Sequence, residues 1–383
     1  MLLLINKKYY IKMLLLFNKY VNEIEYLLIL LILFVPILYP LYKNGYKQNL
    51  TLSSSEGFIS QQASTLLKAI CCIIIPIHHY GIFFCETRIV NILRLGGGNI
   101  ALVIFLLISA YGILKSELKR KLKLKGFIQK RIWKIYKPFL IISILTVVAG
   151  KIINATYISS NPTSMSDDLY IIANENSIWK LLAMGTGIIE IDSSMWFIWV
   201  TLVSYIVFFT CKSIFDLNNK KYKFLIAYTF CIIVYGIMAR LLDFPIHYYR
   251  NLWALVLGTS IALYEKELIK NSVRFFLLIG IVLGYVWVQI ILMKEDTYFI
   301  HATLGLLIVM LVSIGYSCKA INNIYMMTTL SMMSYYVYLC HEKIIAIMNY
   351  YFGKTNVLPP LLCILAFAYI YMIICNKLKF DRR

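Results

Sequence analysis

Apolar residues in this chain run almost unbroken for roughly 13 to 21 positions, stop at a short polar segment and start again, from one end to the other. The runs cover Ile24–Tyr42, Leu66–Phe84, Ile100–Leu114, Tyr136–Ile153, Met195–Phe215, Phe224–Leu242, Leu252–Tyr264, Phe275–Met293, Ile300–Tyr316, Thr328–Met348 and Leu358–Cys375. A helix rises about 1.5 Å per residue and hydrocarbon is about 30 Å thick, so the pattern predicts helices that cross a bilayer. In lipid every backbone N–H and C=O must be satisfied within the segment, which helices do. The expected fold is all-α: a polytopic membrane bundle of ten core helices following one N-terminal hydrophobic segment. Residues 1–65 form an extension, 66–376 the membrane domain and 377–383 a tail.

Composition agrees. The chain is 61% hydrophobic and only 15% charged, with mean hydropathy +0.75, which excludes a soluble domain of this length. A net charge of +20 would suit a nucleic-acid binder, but the cations are confined to alternate loops. If Lys115–Lys137 is cytoplasmic, then Cys211–Lys223, Glu265–Arg274, Ser317–Asn323 and the tail Asn376–Arg383 are too, and these five segments carry most of the 38 Lys and Arg. The opposite loops hold only Arg88, Arg94, Lys151, Lys180, Arg250, Lys294 and Lys354. This is the positive-inside asymmetry, and it predicts a cytoplasmic C-terminus and no nucleic-acid partner. Lys7, Lys8, Lys12 and Lys19 pull the first segment the other way. That segment therefore either runs outside-to-inside or lies along the interface, where Pro36 and Pro40 would be tolerated; a cleaved leader is the weakest option, since no small-residue site follows the apolar run.

Nine cysteines, most of them inside spans, show no metal or redox spacing and read as soft apolar side chains. The longest polar interruption, Tyr157–Ser194, is too short for a separate domain and reads as a partly ordered external cap.

One span carries unusual chemistry. "LLKAICCIIIPIHHYGIFF" (Leu66–Phe84) begins beside Lys68 and holds His78 and His79 near its end. With Lys68 at the cytoplasmic surface, His79 would lie about 16 Å deep, near mid-membrane. Ionisable groups at that depth usually face the bundle interior and mark a reaction or transport path, although a packed, hydrogen-bonded histidine is the plainer alternative. Adjacent residues point about 100° apart, so His78 and His79 cannot share one role. His341 is expected at a similar depth on a later helix.

A cation, ten residues and a histidine, here Lys68 to His79, resembles the pattern of the acyltransferase 3 family of membrane O-acyltransferases. Four further stretches are similar in order: "GGGNIALVIFLLISAYGIL" (Gly96–Leu114), "FIQKRIWKIYKPF" (Phe127–Phe139), "SMWFIWVTLVSYIVFF" (Ser194–Phe209) and "LSMMSYYVYLCHEKI" (Leu330–Ile344). Lys68 stands where arginine is more usual, Ala110 where glycine is common, and no glutamate follows Trp196, which places the resemblance with the polysaccharide and sugar O-acetylase branch.

The resemblance implies acetyl-CoA as donor, no metal, and a carbohydrate or lipid-linked glycan as acceptor in a bacterial plasma membrane. His79 would act as base or nucleophile with His341 as its partner. Lys68, Lys130, Arg131, Lys134 and Lys137 would form a basic mouth for the donor's phosphates, with Ser109 and Tyr111 lining the donor channel. Glu190, Asp192 and Trp196 would meet the acceptor. Each has a plainer reading: orientation of the basic loop by the positive-inside rule, an exposed acidic loop, and aromatic packing. Two other classes fit the pattern in part. A transporter or glycan flippase would use the same intramembrane groups, though the chain shows no inverted repeat. A sensor or assembly partner, including a homo-oligomer, would use the Tyr157–Ser194 loop and no histidine.

Overall fold

A computed structural model of the chain describes residues 57–84, 88–152, 171–172, 174–190, 195–217, 219–270, 305–310, 312–313, 325–352 and 356–378. The described residues are helical, with no strand among them. The main helices are α1 (Gln61–Phe84), α2 (Arg88–Lys119), α3 (Leu124–Ile152), α4 (Ile178–Gly185), α5 (Trp196–Ile214), α6 (Lys221–Leu241), α7 (Trp253–Leu263), α8 (Glu265–Lys270), α9 (Tyr325–Phe352) and α10 (Leu358–Lys377).

Six of them are long and apolar enough to cross a membrane, in whole or over most of their length: α1, α2, α3, α5, α6 and α10. Helix α9 has the length, at 28 residues, but Thr, Ser, Tyr, His, Glu and Lys dilute its apolar character. The run expected to span at Leu252–Tyr264 forms only the 11-residue α7, about 16 Å long, with a one-turn 3₁₀ helix (Ile246–Tyr248) before it. A continuous apolar run therefore did not guarantee a full-length span there. The runs at Ile24–Tyr42 and Phe275–Met293 lie outside the described residues, as does most of Ile300–Tyr316.

Helix α1 is the centre of the bundle, packed against α2 and α9; α2 also packs on α7, α9 on α10, and α5 on α6. In α1 and α2 72% of the apolar stretch is buried, against 22% in α6, whose Ile226, Phe230 and Ile237 point outward. A helix that is apolar all round but buried on one side only is what a lipid-facing position requires. At the α2–α7 crossing, backbones touch: a side chain on Gly258 would run into the carbonyl oxygen of Leu107. Small residues at such crossings are the usual means of close approach between membrane helices.

One end of the bundle is knit by ion pairs. Lys115 pairs with Glu265, Lys212 with Glu117, Lys121 with Asp216 (2.9 Å) and Lys221 with Glu267 (3.5 Å). These tie together the segments around 115–125, 212–223 and 265–270, which the charge pattern put on one side. Two of the links are buried. Lys212 and Glu117 are 9% and 0% exposed, and this pair pins the α2–α3 turn because Glu117 also accepts from Leu122 N–H (3.1 Å) while Lys212 donates to the Leu122 carbonyl (3.0 Å). Glu265 gathers Lys115, the Tyr111 hydroxyl and the Phe58 N–H (2.5 Å), so it fixes the entry to α1.

Replacing Gly258 by valine should cost about 1–3 kcal/mol, because the obstacle is backbone and cannot turn aside. Thermal unfolding in detergent should show a clear drop in midpoint, whereas valine at the outward-facing Ile226 should leave it unchanged.

Candidate active site

A cluster of polar groups lies where α1 meets α9. His79 Nδ1 lies 2.7 Å from Glu342 Oε1. The His79 and His341 rings are 4.6 Å apart at 66°, edge to face. Glu342 is 3% exposed and His341 fully buried, while His79 keeps 20% of its side chain exposed. Thus the histidine is the accessible member and the carboxylate its buried support. A buried carboxylate without a compensating hydrogen bond is costly, so the pair is mutually required. The pairing makes His79 Nδ1 the donor and leaves Nε2 with the lone pair. The ring of His341 is set by its own helix: Nδ1 donates to the carbonyl of Tyr338 (2.7 Å), with that of Val337 at 3.2 Å.

Ligand atoms of His79, His341 and Glu342 all lie within 4.8 Å of one another, a grouping that admits a metal ion. Ligands about 2.1 Å from a tetrahedral metal sit about 3.4 Å apart. The 2.7 Å separation of His79 and Glu342 is instead that of a charge-assisted hydrogen bond.

The other expected residues fall into three groups. His79 and His341 are brought together. Lys68 lies within reach of the charges of Lys134 and Arg131. Helix α1 begins at Gln61, so Lys68 is on its second turn, about 10 Å along, and His79 is about 27 Å along, toward the far end of the helix. Gly98, where a side chain would strike His78, marks the same level on α2. Lys130 and Arg131 sit in a π-helical turn, Ile128–Ile132, of the kind that often re-aims side chains at functional sites. Lys130 and Lys134 are exposed, and Lys137 lies over the Trp133 ring at 5.7 Å. The Nε of Arg131 is buried and has no hydrogen-bond partner among the described residues, a donor directed at no protein acceptor there.

Ser109 and Tyr111 are engaged by the protein itself, Ser109 with the Tyr205 hydroxyl (2.7 Å) and Tyr111 with Glu265. Their side chains serve the α2–α5 and α2–α8 contacts. Glu190 is exposed, Asp192 lies outside the described residues, and Trp196 packs on His247 with ring centres 4.9 Å apart.

Sequence reasoning did not single out Glu342 as a functional group. The signal was present: a carboxylate within an apolar run and next to a candidate histidine. It was passed over because neighbouring helical residues diverge by about 100°, and only the packing of α9 on α1 shows that both face the same centre.

A family model described as "Acyltransferase domain" matches residues 62–376. No curated protein and no solved structure matches the chain.

A double-mutant cycle of His79→Ala and Glu342→Gln should give a coupling of about 1.5–3 kcal/mol, the range for hydrogen bonds to charged groups. Thermal unfolding of the four proteins in one detergent measures it, and additive effects would mean the two side chains do not interact.

Proposed function

This chain belongs to the acyltransferase 3 family of integral-membrane acyltransferases, and we propose that it moves an acetyl group from acetyl-CoA on the cytoplasmic side to a carbohydrate hydroxyl of a cell-surface polysaccharide or its lipid-linked precursor. The observation that carries the site assignment is the His79–Glu342 pair, a partly exposed imidazole with its second nitrogen held by a buried carboxylate. That is the arrangement in which imidazole takes a proton from a hydroxyl at neutral pH.

The step balances as follows. The acceptor oxygen bonds to the thioester carbonyl carbon while His79 Nε2 takes the hydroxyl proton, and Glu342 stabilises the imidazolium that forms. The tetrahedral centre collapses with cleavage of the C–S bond, and the imidazolium returns the proton to the sulfur, releasing CoA as thiol. A two-stage route, in which Nε2 first carries the acetyl group, uses the same residues and is distinguished by ping-pong kinetics. No metal enters either route.

The donor end is supported by charge and depth. Lys68, Arg131 and Lys134 stand together, with Lys130 and Lys137 nearby, and guanidinium and ammonium groups suit a diphosphate. Lys68 and His79 are eleven residues apart on one helix, about 16 Å. An extended pantetheine arm covers that distance, so phosphates at Lys68 would put the thioester at His79. Ser109 would line this path from its place beside Tyr205; Tyr111 would act indirectly through Glu265. A transporter reading gains no comparable observation.

Detergent-purified protein should release thiol from acetyl-CoA, and His79→Ala should lose the activity while keeping its elution profile. Glu342→Gln should lower turnover by about 10²–10⁴, the usual share of a positioned acid–base group, and Arg131→Ala should raise KM for acetyl-CoA with little change in kcat. EDTA should leave the rate unchanged. Thiol release that is equal in wild type and His79→Ala would overturn the proposal.

A further inference from the structure

The donor residues occupy one end of α1; what lies beyond His79, at the other end, has no role in the scheme above. Ring contacts trace a continuous wall outward from it. From His79 the rings run to His341 (4.6 Å), to Tyr338 (5.8 Å), to Phe197 (5.1 Å), to Trp196 (6.0 Å) and to His247 (4.9 Å). The wall is built from α1, α9, α5 and the 3₁₀ turn at Ile246–Tyr248, so no single stretch of sequence displays it.

Its outer end is polar. Arg250 donates to Asn99 Oδ1 at 2.8 Å, and Asn251 Nδ2 contacts the same oxygen at 3.4 Å, which braces the segment after the 3₁₀ turn against α2. His247 lies in that turn, its ring in a triangle with Trp196 and Tyr248 (5.4 Å), which are 6.0 Å from each other. Its Nε2 is buried and has no hydrogen-bond partner among the described residues. Burial first, and the charge of Arg250 second, push the His247 imidazole down to about 4, so it is neutral at physiological pH. A neutral imidazole offers one donor and one acceptor, the complement of a hydroxyl, whereas a cation would offer donors only. An indole with a neutral hydrogen-bonding ring beside it matches the two faces of a sugar, which are apolar C–H on one side and hydroxyl at the rim.

We propose that Trp196 and His247 form the acceptor subsite, which holds a neutral pyranose ring at the mouth of the aromatic wall and directs its hydroxyl inward to His79. The assignment rests on the acyl-transfer reading above. Trp196 supplies stacking area, His247 fixes ring orientation through one hydroxyl, and Arg250 is a positioning residue that acts through Asn99. Sugar enters from the end opposite the donor, so neither substrate has to pass the other.

The test separates the two readings by measuring donor and acceptor dependence independently. Thiol release from acetyl-CoA is followed first without sugar, then with methyl α-D-glucopyranoside or methyl N-acetyl-β-D-glucosaminide, and then with glycerol as a hydroxyl source that lacks a ring. Wild type should show a basal rate that requires His79 and a rise with at least one glycoside. Trp196→Ala and His247→Phe should cut the glycoside-dependent rise at least tenfold, with the basal rate, the glycerol response and KM for acetyl-CoA unchanged; His247→Asn, which keeps a donor and an acceptor, should recover part of it. Loss of the basal His79-dependent rate in wild type would refute acyl transfer itself. If that rate is present but neither glycoside raises it, or if both variants keep the full rise, the subsite is not at Trp196 and His247. If Trp196→Ala or His247→Phe loses its monodisperse elution, the other variant decides, and a folded protein with an unchanged glycoside response overturns the proposal.

Discussion

Glu342 is a carboxylate 3% exposed in a bundle whose outer surface is built for lipid, and nearly everything distinctive about the interior follows from the need to compensate it. Water is absent as a hydrogen-bond source, so the compensation has to come from another helix. His79 supplies it at 2.7 Å, and the requirement that this contact form brings α1 against α9 in one register. The same contact fixes the histidine's tautomer. His79 therefore has its second nitrogen directed away from the carboxylate.

The basic end obeys the same rule with a different result. There Glu117 and Glu265 are buried and each has a lysine; Glu117 Oε2 also accepts from a backbone N–H, and Glu265 from a backbone N–H and a tyrosine hydroxyl. Glu117 Oε1 is buried with no hydrogen-bond partner among the described residues. Networks of this type hold loops in place. Tyr111 is accordingly a structural anchor, its hydroxyl held by Glu265. Arg131 stands outside this network, its buried Nε without a hydrogen-bond partner among the described residues.

Depth is the second organising feature. With α1 anchored through Phe58 to Glu265, Lys68 and His79 are separated by half the helix and the histidine sits toward the far end. His79 is thus distant from the end of the bundle where the lysine–carboxylate pairs gather. The 3₁₀ turn that precedes the short α7 carries His247 beside Trp196.

Much of this was legible in the chain itself. Long apolar runs must become helices because lipid offers the backbone no other partner, and the alternation of basic loops is met in space by ion pairs joining the segments expected on one side. The seven cysteines described are free, and five of them are buried. The resemblance to acyltransferase 3 proteins was carried by local order and spacing, and the family match covers residues 62–376. Which interior groups meet was not legible. His79 and Glu342 are 263 positions apart, and their contact depends on the rotation of two helices about their axes, which periodicity leaves undefined in spans that are apolar on every face. Sequence therefore determined the kind of element and which basic segments share an end of the bundle, since those depend on composition averaged over a turn or more, while only the packed bundle decided which side chains face one another, since that depends on single-residue angles and on backbone contacts such as Gly258 against Leu107.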